Sequence, residues 1–190
     1  VGMIGGGVNV VNTRKANFKL DRLPEVKRML KSNSVRSILL DDEGQLWMGI
    51  STYGFGIKDR KTGKFTHHDQ MLDFNSYRGI STVMSIMQSP STGHIWIGVY
   101  NGGAYEIDKS ASIGKRVKAY NSSNAPWMCN SCIYYIYEDS GKNLWFATRG
   151  GVSMRAADGT PVRIDSLKVG NTAVRDMVAM QLTEGPDGAI

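Results

Sequence analysis

Apolar positions along this chain come in short runs, each closed by a glycine, aspartate or asparagine cluster and followed by another run. No run keeps the 3.6-residue period of an amphipathic helix, and most are rich in valine, isoleucine, tyrosine and phenylalanine, so they predict strands joined by tight turns. In one stretch, strands are expected at about 35–41, 45–51, 55–60 and 64–68. The segment P24-E-V-K-R-M-L-K31 is the exception: proline at a first helical position predicts a short helix there.

The strand pattern repeats. Trp47, Trp96 and Trp145 stand 49 residues apart, inside matching surroundings. These read S34-V-R-S-I-L-L-D-D-E-G-Q-L-W-M-G-I50, T82-V-M-S-I-M-Q-S-P-S-T-G-H-I-W-I-G-V99 and C132-I-Y-Y-I-Y-E-D-S-G-K-N-L-W-F-A-T148. Each is a β-rich run, a glycine turn, then Leu or Ile, Trp and a second β-rich run, which is a hairpin. Gly49 and Gly98 follow their tryptophans by two residues, Gly54 and Gly103 by seven, Asp59 and Asp108 by twelve. Glycine at such positions suits a positive φ in a turn or a close backbone approach, and aspartate suits an Asx turn at a strand end. Asp41 and Asp139 recur with the repeat and read as turn residues.

A unit of nearly 50 residues holding four short antiparallel strands predicts an all-β fold, a β-propeller segment of about four blades. The blade units are expected at about 1–33, 34–80, 81–130 and 131–176, within one propeller segment spanning 1–190. The opening V1-G-M-I-G-G-G-V-N-V-V11 has the glycine density of a phosphate loop but neither its spacing nor a following helix. Its glycines fall on the blade offsets if a tryptophan preceded Val1. The closing M177-V-A-M-Q-L-T-E-G-P-D-G-A-I190 reads as the leading strand and turn of a further or closing blade. The chain therefore reads as a piece cut from a longer repeat array, with no signal peptide or initiator methionine.

The motif V-x-x-I-x-x-D-x-x-G-x-L-W-x-G-x-x-x-x-G, carried by Val35, Ile38, Asp41, Gly44, Leu46, Trp47, Gly49 and Gly54, resembles the propeller repeat of two-component regulators. Ile133, Ile136, Asp139, Leu144, Trp145 and Thr148 follow it in the fourth unit, with Gly141 one place early and Ala147 for glycine. The third unit has one extra residue and Ser89 in the place of aspartate. The resemblance implies the periplasmic sensor region of a hybrid histidine kinase of the kind common in gut Bacteroidetes. It further implies an oligosaccharide or other small ligand, and signalling through membrane and kinase segments that this chain lacks. It implies no catalysis by the chain itself. A fragment of a propeller enzyme such as a lyase, or a propeller serving protein interaction or dimerisation with a second copy of the chain or with other blades, are the alternatives.

Composition fits a globular domain: 41% hydrophobic, 21% charged. The net charge of +6 comes from 23 basic and 17 acidic residues, scattered apart from short clusters such as R60-K-T-G-K64 and G114-K-R-V-K118. That distribution predicts a solvated surface and no nucleic-acid partner. No apolar run reaches the roughly 18 residues of a membrane span.

Candidate binding residues sit in the loops between second and third strands and between blades, where rigid scaffolds carry function. Trp127, off the 49-residue register, Tyr53, Tyr100, Asn101, Arg149, Tyr77 and Arg78 are the aromatic and planar polar residues there that the repeat does not require. H67-H-D69 reads as a solvated turn at an outer-strand end. Cys129 and Cys132 read as a loop disulfide or two loop thiols. No catalytic motif, metal site or cofactor is expected.

Overall fold

The computed structural model describes residues 34–74, 77 and 80–190, together with the backbone of the strand residues 2–3, 7–12 and 17–21. The helix expected at 24–31 and the candidate residue Arg78 lie outside the described residues. The chain forms two compact units, Val1–Met84 and Ser85–Ile190.

The first unit opens with a three-stranded antiparallel sheet of β1 (Gly2–Met3), β2 (Gly7–Asn12) and β3 (Asn17–Asp21). A four-stranded sheet follows: β4 (Val35–Leu40), β5 (Gln45–Ile50), β6 (Gly54–Asp59) and β7 (Phe65–His67), each strand beside its neighbour in sequence. These bounds lie within a residue or two of those read from the apolar runs. β8 (Val83–Gln88) starts at the boundary between the units and leads a second four-stranded sheet with β9 (Ile95–Val99), β10 (Gly103–Ile107) and β11 (Val117–Tyr120). The third comprises β12 (Ile133–Glu138), β13 (Leu144–Thr148), β14 (Gly151–Arg155) and β15 (Pro161–Ile164), followed by a two-stranded hairpin of β16 (Lys168–Val169) and β17 (Thr172–Ala173). The fold is all-β and built of four-stranded antiparallel meanders, the blade unit of a β-propeller.

The repeat owes its form to a few side chains. Asp41 closes the β4–β5 turn: its Oδ1 accepts from the backbone N–H of Gln45 at 2.8 Å and of Glu43 at 3.1 Å, and its Oδ2 accepts from the indole Nε1 of Trp47 at 2.9 Å. Asp139 does the same for Asn143 N at 2.8 Å and Trp145 Nε1 at 2.7 Å. One carboxylate thus fixes the turn and orients the blade's tryptophan. In the third repeat Ser89 cannot reach an indole. Its hydroxyl accepts instead from Thr92 N at 3.2 Å and Thr92 Oγ1 at 2.8 Å. Trp96 is held by neighbours: Tyr120 stacks at 5.7 Å, Phe146 meets it edge-on at 5.5 Å, and the Arg155 guanidinium lies 5.2 Å from its ring centre.

Glycine two places after tryptophan makes room for the inner strand that follows. A Cβ on Gly98 would sit 2.8 Å from Ile133 Cγ2, so any side chain there would force β9 away from β12. Between the sheets of the second unit, Trp96, Ile133, Ile136, Met128 and Phe146 form a buried apolar cluster. Val35, Met48 and Ile50 do so in the first.

The expected leading strand at 177–184 belongs to no sheet among the described residues. Its hydrogen bonds resemble some of those made by the leading strands of the other sheets. Ala179 N donates to Thr148 O at 3.0 Å. Glu184 accepts from Ser140 N at 2.9 Å and Ser140 Oγ at 2.5 Å, as Glu138 at the end of β12 accepts from Ser91 N at 3.1 Å, one repeat earlier. The turn after it closes with Gly185 N donating to Ala189 O at 2.7 Å, the counterpart of Asp139 N to Asn143 O at 3.0 Å. A strand needs a ladder partner, and among the described residues the sheet-like contact of this segment is the one to Thr148.

Candidate functional site

Two strand-connecting turns of the second unit lie at one end of their sheets. In the β9–β10 turn, Asn101 adopts the left-handed region (φ +57°), and Gly103 N donates to Ser131 O at 2.8 Å, which ties the turn to the segment leading into β12. Gly103 must be glycine: its φ is +81°, and a Cβ would run into Tyr120 O. In the β13–β14 turn, Thr148 Oγ1 donates to Gly151 O at 2.7 Å and accepts from Gly150 N at 3.2 Å, while Arg149 N donates to Cys132 O at 3.2 Å. Both turns are therefore anchored by hydrogen bonds, and Asn101 and Arg149 are exposed on them.

Between them stands Tyr134, which the sequence reading did not single out. A register shift between Ile133 and Tyr135 leaves Tyr134 unpaired in the β12–β13 ladder, a bulge that re-aims its side chain. Its ring meets Tyr100 edge-on, centroids 6.1 Å apart at 78°. Burial pushes the Tyr134 phenol up, and the neighbouring Cys132 thiol and Tyr100 add to this, while Arg149 opposes it. The hydroxyl is a neutral donor at physiological pH. The sequence did hold a signal: I133-Y-Y-I136 breaks strict alternation where the inner strand β4 is also bulged, between Val35 and Ser37.

The other candidate residues serve packing. Trp127 is half-buried, edge-on to Phe146 at 5.6 Å and tilted against Tyr120 at 6.1 Å, beside the buried cluster of the second unit. Its ring packs against the apolar cluster between the sheets. In the first unit Tyr53 lies against the His67 ring at 4.0 Å, and Tyr77 against Phe74 at 6.1 Å. Burial raises the Tyr53 phenol, with Asp69 adding its charge.

The H67-H-D69 segment is not a solvated turn. His67 is 4% exposed and His68 8% exposed. His67 bridges Asp69 Oδ1 and Tyr53 O, each at 2.6 Å, which ties the end of β7 to the β5–β6 turn. His68 stacks on Phe55 at 5.1 Å and meets Phe74 edge-on. Burial, then the adjacent His67, lowers its pKa to about 4, so it is neutral. The third histidine, His94, binds Glu106 Oε1 at 2.9 Å. Glu106 is buried and also accepts from the Tyr120 hydroxyl at 2.7 Å, with Arg155 at 3.4 Å. Burial pushes its carboxyl up, but His94, Tyr120 and Arg155 together outweigh this and hold it below the usual range. Burial, then the Glu106 carboxylate, pushes the Tyr120 phenol up to about 12, with Arg155 opposing. This is a closed network with its charges met internally. Both cysteines are free thiols; Cys129 Sγ donates to Val152 O at 3.3 Å and Cys132 is buried. No cluster of metal-ligating side chains occurs among the described residues.

The repeat geometry has counterparts in known proteins. Residues 29–52 and 128–150, each covering a leading strand, the aspartate turn and its tryptophan, match the family model of the two component regulator propeller. Two stretches of the chain thus match that repeat, and the match is confined to them. Among solved structures with this fold is an extracellular domain assigned to a hybrid two-component system of B. thetaiotaomicron, at 22% identity and a TM-score of 0.61 over 86% of this chain and 22% of that one. Another, from a one-component system of the same organism, gives 16% identity and a TM-score of 0.70 over 97% of this chain and 23% of that one. Virginiamycin B lyase from Staphylococcus aureus gives 16% identity and a TM-score of 0.66 over 97% of this chain and 55% of the enzyme. These likenesses show the shared fold. The chain thus spans less than a quarter of the length of these two extracellular domains. No curated protein matches the chain in sequence. Among the described residues, no helix is long and apolar enough to cross a membrane.

Proposed function

We propose that these repeats form part of a periplasmic sensor propeller that binds a sugar or oligosaccharide without chemical turnover, in a parent protein that passes the signal to a kinase. The observation that carries this reading is the grouping of Tyr100, Asn101 and Arg149, on hydrogen-bonded turns, with Tyr134 at the β12 bulge, at one end of the second unit's sheets. Edge-on aromatic rings, a planar guanidinium and an amide are the groups that hold sugar rings and hydroxyls. The family match supports a regulatory role, and the extracellular neighbours favour an extracytoplasmic location.

Against an enzyme such as a lyase stands the disposition of the general bases. The chain has three histidines. Two are buried under Tyr53 and the third is engaged with Glu106, so none joins the Tyr100–Tyr134–Arg149 group. Calorimetric titration with a panel of oligosaccharides, run beside a lyase assay on the same sugars, tests the proposal. Heat of binding without product supports it, and loss of that heat in Tyr134→Ala places the binding on this face. Product formation overturns it.

A further inference from the structure

We propose that the Tyr100–Tyr134–Arg149 face takes an anionic sugar, one bearing a carboxylate or sulfate, with Arg149 as the group that meets the charge. The inference rests on the reading that this face binds sugar and adds the chemistry that selects among sugars.

Arg149 is exposed, and among the described residues its guanidinium makes no side-chain hydrogen bond or ion pair. Most other arginines of the second unit have work to do. Arg155 lies on Trp96 and reaches Glu106; Arg163 Nε binds Asp165 Oδ2 at 2.5 Å and Arg163 Nη1 donates to Pro126 O at 3.2 Å. Arg149 has none, yet the turn that carries it is held at three points, by Cys132 O, by Gly151 O and by the Thr148 hydroxyl. A five-donor fork on a fixed backbone, facing solvent, suits bidentate capture of a carboxylate or sulfate.

The surroundings keep the charge positive. A Cβ on Gly150 would lie 3.5 Å from Arg175 O and 3.7 Å from Asn130 Nδ2, so the Arg175 backbone and the Asn130 amide flank the residue after Arg149. Arg175 is likewise exposed and without an ion pair among the described residues. Over residues 148–151 and 163–176 there are four basic side chains (Arg149, Arg163, Lys168, Arg175) and two acidic ones (Asp165, Asp176), and Asp165 is taken by Arg163. Beside this stand two tyrosine rings, one with a neutral hydroxyl able to donate. Aromatic walls and an amide alone would take any sugar. The unpaired guanidinium makes the acidic ones preferred.

The test uses the whole chain and one galactose trisaccharide in three forms: neutral, oxidised at C6 to the uronate, and sulfated at C6. Isothermal titration at low and at high salt compares the wild type with Arg149→Gln, Arg175→Gln and Tyr134→Ala, each first checked by circular dichroism. The expected result is that one or both charged forms bind roughly tenfold or more tightly than the neutral form, and that Arg149→Gln removes most of this difference. The advantage should shrink as salt rises. The two charged arms separate carboxylate from sulfate. Equal binding of all three forms, or a preference that survives Arg149→Gln, overturns the charge assignment while leaving sugar binding through Tyr134 intact. Absence of binding by every form overturns both readings.

Discussion

The bond between Asp41 and Trp47 offers a quantitative check on what holds a blade together. Both residues are almost fully buried, Asp41 at 5% and Trp47 at 3% exposure. The carboxylate accepts three hydrogen bonds, from two turn amides and the indole. Replacing Asp41 with alanine lets water reach the amides of Glu43 and Gln45, which lie towards the surface, but strands the indole N–H in the interior. A hydrogen bond to a charged group contributes about 1.5–3 kcal/mol, and a buried donor left without a partner costs about 1–3 kcal/mol. The expected destabilisation of Asp41→Ala is therefore about 3 kcal/mol. Trp47→Phe removes the donor and keeps an aromatic ring beside Phe55, with which Trp47 stacks at 5.7 Å. Comparing both single variants with the double variant isolates the pair, and the coupling should be about 2 kcal/mol. Urea unfolding followed by far-ultraviolet circular dichroism measures all four proteins, with slopes compared to exclude a change in the unfolded state. A coupling below about 0.5 kcal/mol would refute the idea that the carboxylate orients the tryptophan rather than merely sitting beside it.

Acid should also weaken the first unit through His68. Its folded pKa of about 4 lies below the ordinary imidazole value of 6.5, so the fold favours the neutral ring. The stability it contributes is complete above pH 6.5 and is lost as pH falls from there through about 4, a drop on the order of 2 kcal/mol. Unfolding measured at pH 7 and at pH 4 should show this in the wild type, and His68→Phe should flatten it; an unchanged pH slope in the variant would count against burial as the cause. Glu106→Gln should destabilise the second unit by about 2–4 kcal/mol, because His94 and Arg155 lose their shared anion in a buried setting. A thermal melt within a degree of wild type would show that the network is dispensable.

Much of this was legible because a repeat exposes its own constraints. Trp47, Trp96 and Trp145, the glycines two and seven places on, and the turn aspartates stand out by register alone, since the backbone needs the same answer in every blade. Strand bounds followed from the same pattern. Residues whose roles depend on a neighbouring sheet were harder to read. Trp127 looked free because it broke the register, but it breaks it to fill the space beside Phe146 and Tyr120. His67 and His68 looked peripheral at a strand end, yet the short β7 folds them under Tyr53 and Gly54, where a Cβ on Gly54 would collide with the His68 ring. Tyr134 escaped notice because its exposure comes from a bulge, and alternation predicts faces only where the ladder is regular. Tyr100, Asn101 and Arg149 were visible as loop residues; that they gather around Tyr134 was not.

Ser89 makes the third blade a borrower. The blades with Asp41 and Asp139 carry within a few residues everything that seats their tryptophan, and such a blade can be copied or shuffled along a gene as a self-sufficient cassette. Trp96 is instead held by Phe146 and Arg155, which belong to the blade that follows. A duplication or deletion that separated these two blades would leave one of them with an unsupported indole. The two sheets are therefore coupled through Trp96, whereas the turns that keep their aspartate seat their tryptophan locally.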